Sequence, residues 1–284
     1  MIPASFEYHR PDTVQSAVAL IGQYGESARV VAGGHSLIPM MKLRMTDIGH
    51  LVDLQAIKDL KGITVSGHSV TIGAMTTQHE LITSETLAKV APIMREAALQ
   101  IADPQVRYMG TIGGNVANGD PGNDMPGLMQ CLGAVYVLQG PGGKRDVSAR
   151  EFYEAAYFTA RDDGEILTAI RFEAAPGGYA YEKQKRKIGD YATAAAAVTL
   201  SISGGKCSAA SIAMTNLSDT PVYCQGSADA LTGTSLDAAA IAAAVAAMQG
   251  DINPSEDNRG PVEFKRHVAG VILRRAIERA VSRA

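Results

Sequence analysis

Two short segments constrain this chain more than any other feature: Ala32-Gly33-Gly34-His35-Ser36 and Thr111-Ile112-Gly113-Gly114-Asn115. In each, adjacent glycines sit among small hydroxyl or amide residues. Lacking a Cβ, glycine lets the backbone approach a ligand closely and turn its N–H groups inward, the geometry of an anion nest. Ser36, Thr111 and Asn115 can add side-chain hydrogen bonds. Neither segment fits G-x-G-x-x-G or G-x-x-x-x-G-K-[ST], which disfavours a Rossmann site and a P-loop. One Gly-Gly turn is weak evidence; the pair carries the weight.

The surrounding pattern places both segments. Asp12 and Thr13 can cap a helix whose apolar residues, Val14, Ala17, Val18 and Ile21, share one face, with Gly25 as its stop. A strand at 29–32 then leads into the first glycine pair. Pro39 limits the next segment to a short helix, and 50–54 reads as a strand, so the chain opens as β-α-β. Residues 63–74 alternate around Ser66-Gly67-His68 and predict a hairpin. Helices are expected near 77–83 and 91–101, the second closed by Asp103-Pro104, because the residue before proline avoids helical angles. Residues 110–127, rich in turn formers and poor in apolar anchors, read as one long loop, a length that in compact domains is usually functional. Strands are expected at 134–139 and 165–172, with a short helix near 149–155 between them. After a break at 174–178, a strand near 179–184, a hairpin at 194–216 and helices near 235–248 and 262–281 complete the chain. This divides it into residues 1–175, with parts about 1–55 and 56–175, and a smaller region, 178–284.

The 284 residues are 46% hydrophobic and carry a net charge of −3, with no basic stripe, which argues against nucleic acid as a partner. The longest apolar run, 238–248, is far short of the roughly 20 residues that span a bilayer. The N-terminal sequence MIPASFEYHR has neither the basic start nor the apolar core of a signal peptide, so a soluble, cytoplasmic chain is expected. Cys131, Cys207 and Cys224 are too few and too scattered for a four-thiolate zinc or iron–sulfur site. His50, His68, His79 and His267 show no metal-ligand spacing, and no nucleophile–base pattern is visible. No catalytic or metal-binding residue is therefore assigned.

AGGHS after a strand, then TIGGN with an aspartate beyond it, resembles the flavoprotein subunit of the molybdenum hydroxylases, the xanthine dehydrogenase family. The stretches that carry the resemblance are VVAGGHSLIPMMKLRM (30–45), TIGGNVANGDPGNDMPG (111–127) and KRKIGDYATAAAAV (185–198). Within the family the pattern is most similar to medium subunits of the carbon-monoxide-oxidising branch; other branches share much of it. The resemblance implies an α+β fold: a vanillyl-alcohol-oxidase (PCMH)-type FAD-binding domain of two α/β subdomains, plus a small C-terminal antiparallel sheet with helices. It also implies non-covalent FAD, held at its pyrophosphate by Ala32 to Ser36 and Thr111 to Asn115, with Asp124 on the adenosine part. Lys183 or Lys185 corresponds to a lysine near the flavin ring, and Tyr191 to a side chain placed against the isoalloxazine.

By the same resemblance, the chain is an electron-transfer subunit in a dimer of heterotrimers. An iron–sulfur small subunit with [2Fe–2S] clusters and a large subunit with the molybdenum cofactor would oxidise CO with water to CO2. FAD would pass the electrons to an external acceptor, with peripheral contact at the inner membrane through the complex. Three readings stay open beside this one: a medium subunit for another substrate, such as xanthine or an N-heterocycle; a self-contained flavin oxidoreductase; and a non-redox nucleotide-binding module. Plainer roles are also open for single residues. His35 can cap its loop, Asp120 can be a turn residue, Tyr191 a strand residue, and Arg274, Arg275 and Arg279 the polar face of the last helix. Met40, Met41 and Met45 read as core filler.

Overall fold

A computed structural model describes residues 2–284. The first unit is α/β in the strict sense: β1 (Glu7–His9), α1 (Val14–Tyr24), β2 (Ala28–Val31), α2 (Leu37–Lys42) and β3 (His50–Asp53). The three strands form a parallel sheet in the order β1-β3-β2. Thr13 caps α1 by accepting from the Ser16 N–H, and the face read from the sequence, Val14, Ala17, Val18 and Ile21, is the buried one. The strand β1 is too short to show an alternating pattern and was not expected. Of the three methionines read as core filler, only Met41 is buried; Met40 and Met45 are exposed.

The second unit is built on an antiparallel sheet in the order β4-β5-β10-β6-β7. Its hairpin, β4 (Ile63–Ser66) and β5 (Ser69–Gly73), turns where expected. Six helices follow: α3 (Gln78–Thr83), α4 (Glu85–Val90), α5 (Pro92–Ala98), α6 (Pro104–Met109), α7 (Ile112–Ala117) and α8 (Asp124–Cys131). Then come β6 (Val135–Gly140), β7 (Gly143–Ser148), the small pair β8 (Tyr153–Ala155) and β9 (Phe158–Thr159), and β10 (Ile166–Glu173).

Three expectations are corrected here. Asp103-Pro104 opens a helix rather than only ending one: Asp103 accepts from the Val106 N–H, and Pro104 takes the first helical position, where its missing N–H costs nothing. The helix expected near 149–155 is instead turn and strand, with Phe152 fully buried. The long loop read at 110–127 holds α7 and the start of α8. It is also well anchored: Ile112, Val116 and Met125 are completely buried in the main core.

The third unit has β11 (Gly178–Gln184), β12 (Ala194–Ser203), β13 (Lys206–Thr215) and β14 (Val222–Tyr223) in an antiparallel sheet. Its helices are α9 (Gln225–Leu231), α10 (Ala238–Asp251) and α11 (Val262–Val281). The alanine run of β12 has a physical reason. Ala194, Ala196 and Val198 point into the core under α10 and α11, whereas Ala195 and Ala197 point into the core that contains α8. Side chains alternate across a strand, so a sheet with helices on both faces buries every residue. The smallest apolar side chain lets both helices approach. One core therefore runs from the second unit into the third, with α8 packed on β12 and β13 and α5 on β11.

Candidate functional site

The first glycine pair lies at the carboxyl end of β2, where open α/β sheets usually present ligand sites. Gly34 takes φ +74, a left-handed conformation that favours glycine. Gly33 is constrained by space: a Cβ there would lie 2.4 Å from the Met109 carbonyl oxygen and 2.8 Å from Gly110 Cα. A Cβ on Gly110 would in turn lie 3.9 Å from the His35 ring, and one on Gly114 3.4 Å from Ala32 Cβ. The two glycine segments, far apart in sequence, thus lie against each other. Among the described residues, the N–H groups of Gly33, Gly34, His35, Ser36 and Leu37 find no acceptor within the chain. A run of unspent donors beside close-approach glycines fits a phosphate-bearing ligand. Ser36 precedes α2 without capping it, so its hydroxyl is also uncommitted.

The second segment works differently from the nest that its glycines suggested. Thr111 is the N-cap of α7, and its hydroxyl accepts the Gly114 N–H at 3.0 Å. The Ile112 and Gly113 N–H groups donate to the carbonyls of Thr76 and Ala74. All three N–H groups are committed inside the protein. Gly113 is needed for packing, since a Cβ there would fall 2.5 Å from Ala74 Cβ. Asn115 holds the next helix: its side-chain oxygen accepts from the Met125 N–H, and its carbonyl accepts from the Asn123 amide. The segment is thus a rigid wall with one open glycine, Gly114, facing Ala32.

Asp124 begins α8, and the structure pairs it with Lys183 across 2.8 Å, with side chains only 5% and 1% exposed. Its other oxygen accepts from the Tyr181 hydroxyl at 2.6 Å. Burial, then the neighbouring Asp124 charge, pushes the Tyr181 hydroxyl well above its ordinary range, so it stays a donor. Lys183 also donates to the Gln100 carbonyl, and Lys185 donates to the Gln100 side chain at 2.5 Å. Burial, then Lys183, lowers the Lys185 pKa. Tyr191 is in the connection between β11 and β12 rather than in a strand; it is 42% exposed and covers Gly122. Asp120 makes a local turn by accepting the Gly122 N–H.

Gln100, Tyr181 and Glu96 carry no motif and were missed. Glu96 accepts from the Tyr181 N–H and pairs with Arg279 and Arg283, clamping α11 to α5. Arg279 is thus an internal clamp, not only a polar face. Such partners lie far away in sequence, and only the fold reveals them.

Comparison with known proteins identifies the family. Residues 4–173 match the family model described as the FAD binding domain in molybdopterin dehydrogenase, and residues 179–280 match the CO dehydrogenase flavoprotein C-terminal domain. The chain belongs to this family of flavin-binding subunits of molybdopterin dehydrogenases. Among its relatives, the carbon monoxide dehydrogenase medium chain of Afipia carboxidovorans is 60% identical, with 100% of this chain and 99% of that one covered. The corresponding chain of Hydrogenophaga pseudoflava is 46% identical over 100% and 99%. A chain of the reconstituted CO dehydrogenase from Oligotropha carboxidovorans superposes with a TM-score of 0.98 over the whole of both chains, at 60% identity.

Proposed function

We propose that this chain is the FAD-carrying medium subunit of a molybdenum-containing carbon monoxide dehydrogenase. The observation that carries the flavin reading is the row of free N–H groups from Gly33 to Leu37, closed on one side by Met109 and Gly110. Full-length similarity to two carbon monoxide dehydrogenase medium chains supports the choice of enzyme. Bound flavin would supply the electron-transfer chemistry, which the side chains cannot. The residues of this chain bind and orient it. The backbone from Gly33 to Leu37, with Ser36, takes the pyrophosphate, and Ala32 and Gly114 line the approach. His35, at the mouth between the two segments, is a contact residue rather than an acid or base. Thr111, Ile112, Gly113 and Asn115 set the wall against which the ligand rests. Lys185 lies toward the ring, since Lys183 is held in the buried pair with Asp124, and exposed Tyr191 offers a stacking face. Asp124 reaches the adenosine part only by sharing a carboxylate that Lys183 and Tyr181 already hold, so we assign it mainly to positioning α8.

The substrate is oxidised on partner chains that hold the molybdenum cofactor and [2Fe–2S] clusters. The assembly is a dimer of heterotrimers in the cytoplasm, delivering electrons to an external acceptor. Among the described residues, no helix is long and apolar enough to cross a membrane. The test is to purify the chain with its neighbours and assay CO-dependent dye reduction. Co-purifying iron–sulfur and molybdenum chains, activity on CO, and FAD released by acid precipitation are expected. A complex that acts on an N-heterocycle but not on CO would reassign the substrate. Flavin that stays on the acid pellet would refute non-covalent binding.

A further inference from the structure

Outside the flavin region, one side-chain cluster has a geometry that nothing above uses. Glu7 and His9 are two residues apart on β1, so they share a face, and the parallel register sets His50 of β3 opposite Glu7. Three donor atoms converge there. His9 Nε2 and His50 Nδ1 are 3.1 Å apart, His50 Nδ1 and Glu7 Oε2 3.5 Å, and His9 Nε2 and Glu7 Oε2 4.0 Å. Bonds of 2.0–2.1 Å at tetrahedral angles place ligand atoms about 3.3 Å apart. The observed triangle brackets that value without any strand movement.

The ligands are also held in place. Tyr24, at the end of α1, stacks on the His50 ring at 3.6 Å and 11°, and it lies 5.1 Å from the His9 ring. Among the described residues, each imidazole makes no hydrogen bond except the one to the other. Tyr8 points away and donates to Asp53, leaving this face to the three ligands. Both imidazole side chains are 19% exposed, and Glu7 is 72% exposed, so the fourth position opens to water.

We propose that Glu7, His9 and His50 form a surface site for one borderline transition dication of the zinc class. Two imidazoles and a carboxylate are the donor set such ions prefer, whereas magnesium and calcium select oxygen donors. The ion would tie β1, a three-residue strand at the edge of its sheet, to the central strand β3. Two imidazole nitrogens at 3.1 Å also allow a simple hydrogen bond, and the experiment separates the two.

The full-length, FAD-loaded chain, stripped with a chelator and dialysed, is titrated calorimetrically with Zn2+. One ion per chain is expected, with a higher melting temperature on binding, since a ligand that binds only the folded state stabilises it. His50→Ala should weaken binding at least about tenfold, the lower end of what even outer-shell partners cost metal sites. His68→Ala, remote from the cluster, should leave the site unchanged. Glu7→Gln changes an exposed side chain and provides a second test if His50→Ala fails to fold; it too should weaken binding. Absence of saturable binding, or an unchanged affinity in Glu7→Gln and in a folded His50→Ala, would reduce the cluster to a histidine–histidine hydrogen bond and overturn the proposal.

Discussion

At the scale of single residues, the glycines of the two segments are not equivalent, and their surroundings rank them. A methyl on Gly33 would strike a backbone carbonyl that cannot rotate away, whereas one on Gly114 would meet only the Thr111 hydroxyl at 3.0 Å and Ala32 Cβ at 3.4 Å. Gly33→Ala should therefore part the two segments and lose most of the flavin while circular dichroism stays native. Gly114→Ala should keep more of it. The FAD-to-protein absorbance ratio measures both, and equal retention would remove Gly33 from the site. The buried pair of Asp124 and Lys183 gives a second expectation. Removing one partner strands the other charge, at a cost of about 3–5 kcal/mol, while replacing both with apolar residues costs much less. Denaturant melts of Lys183→Met, and of the double variant with Asp124→Leu, should show the single change to be worse. Both residues stood out in the sequence by resemblance to a family. Their contact did not, because a separation of 59 positions carries no local signal.

At the scale of elements, local propensity and tertiary demand part company around Thr111. A Gly-Gly pair lowers helix propensity, and a run with Asp, Pro, Asn and Gly reads as loop. Tertiary contacts override this. The carbonyls of Ala74 and Thr76 take the first N–H groups, Thr111 caps the turn, and only glycine fits against Ala74. The amphipathic α1 and the hairpins were legible because their signal is periodic and local; α7 was not, because its stability comes from neighbours. Thr111→Ala should cost about 1 kcal/mol in thermal or denaturant melts, as expected for a lost N-cap. A variant as stable as the parent would mean that the cap contributes little. A pH effect belongs to the edge strand β7. Its Arg145 donates twice to Glu165, and this hydrogen bonding, against the opposing effect of burial, holds the Glu165 carboxyl below its ordinary 4.5. A depressed carboxylate contributes stability that is complete above its unfolded value and is lost as pH falls through its folded one. Melting temperature should therefore drop below about pH 4.5, and Arg145→Met should flatten part of that drop. An unchanged acid limb would show that the pair adds nothing.

For the whole molecule, the question is where electrons can enter. The three cysteines of the chain, Cys131, Cys207 and Cys224, are all buried. Three buried thiols scattered along the chain fall short of the four ligands an ordinary iron–sulfur cluster takes. The chain therefore cannot supply the usual cysteine ligands for such clusters, and on the proposed reading electrons come from a neighbouring chain. Residues 110–127 are packed into the core through Ile112, Val116 and Met125, so the wall behind the flavin is in place before any partner docks. Loosely packed loops would need partners to order them, but a segment this buried belongs to the stable part of the protein. The full-length chain alone should thus take up FAD nearly as tightly as the assembled complex does, yet reduce no dye when given CO. Adding the iron–sulfur and molybdenum chains should restore CO-dependent reduction. Turnover by the lone chain comparable to that of the complex would overturn the electron-transfer assignment. Tight binding only within the complex would leave that assignment standing but show that a partner completes the flavin site.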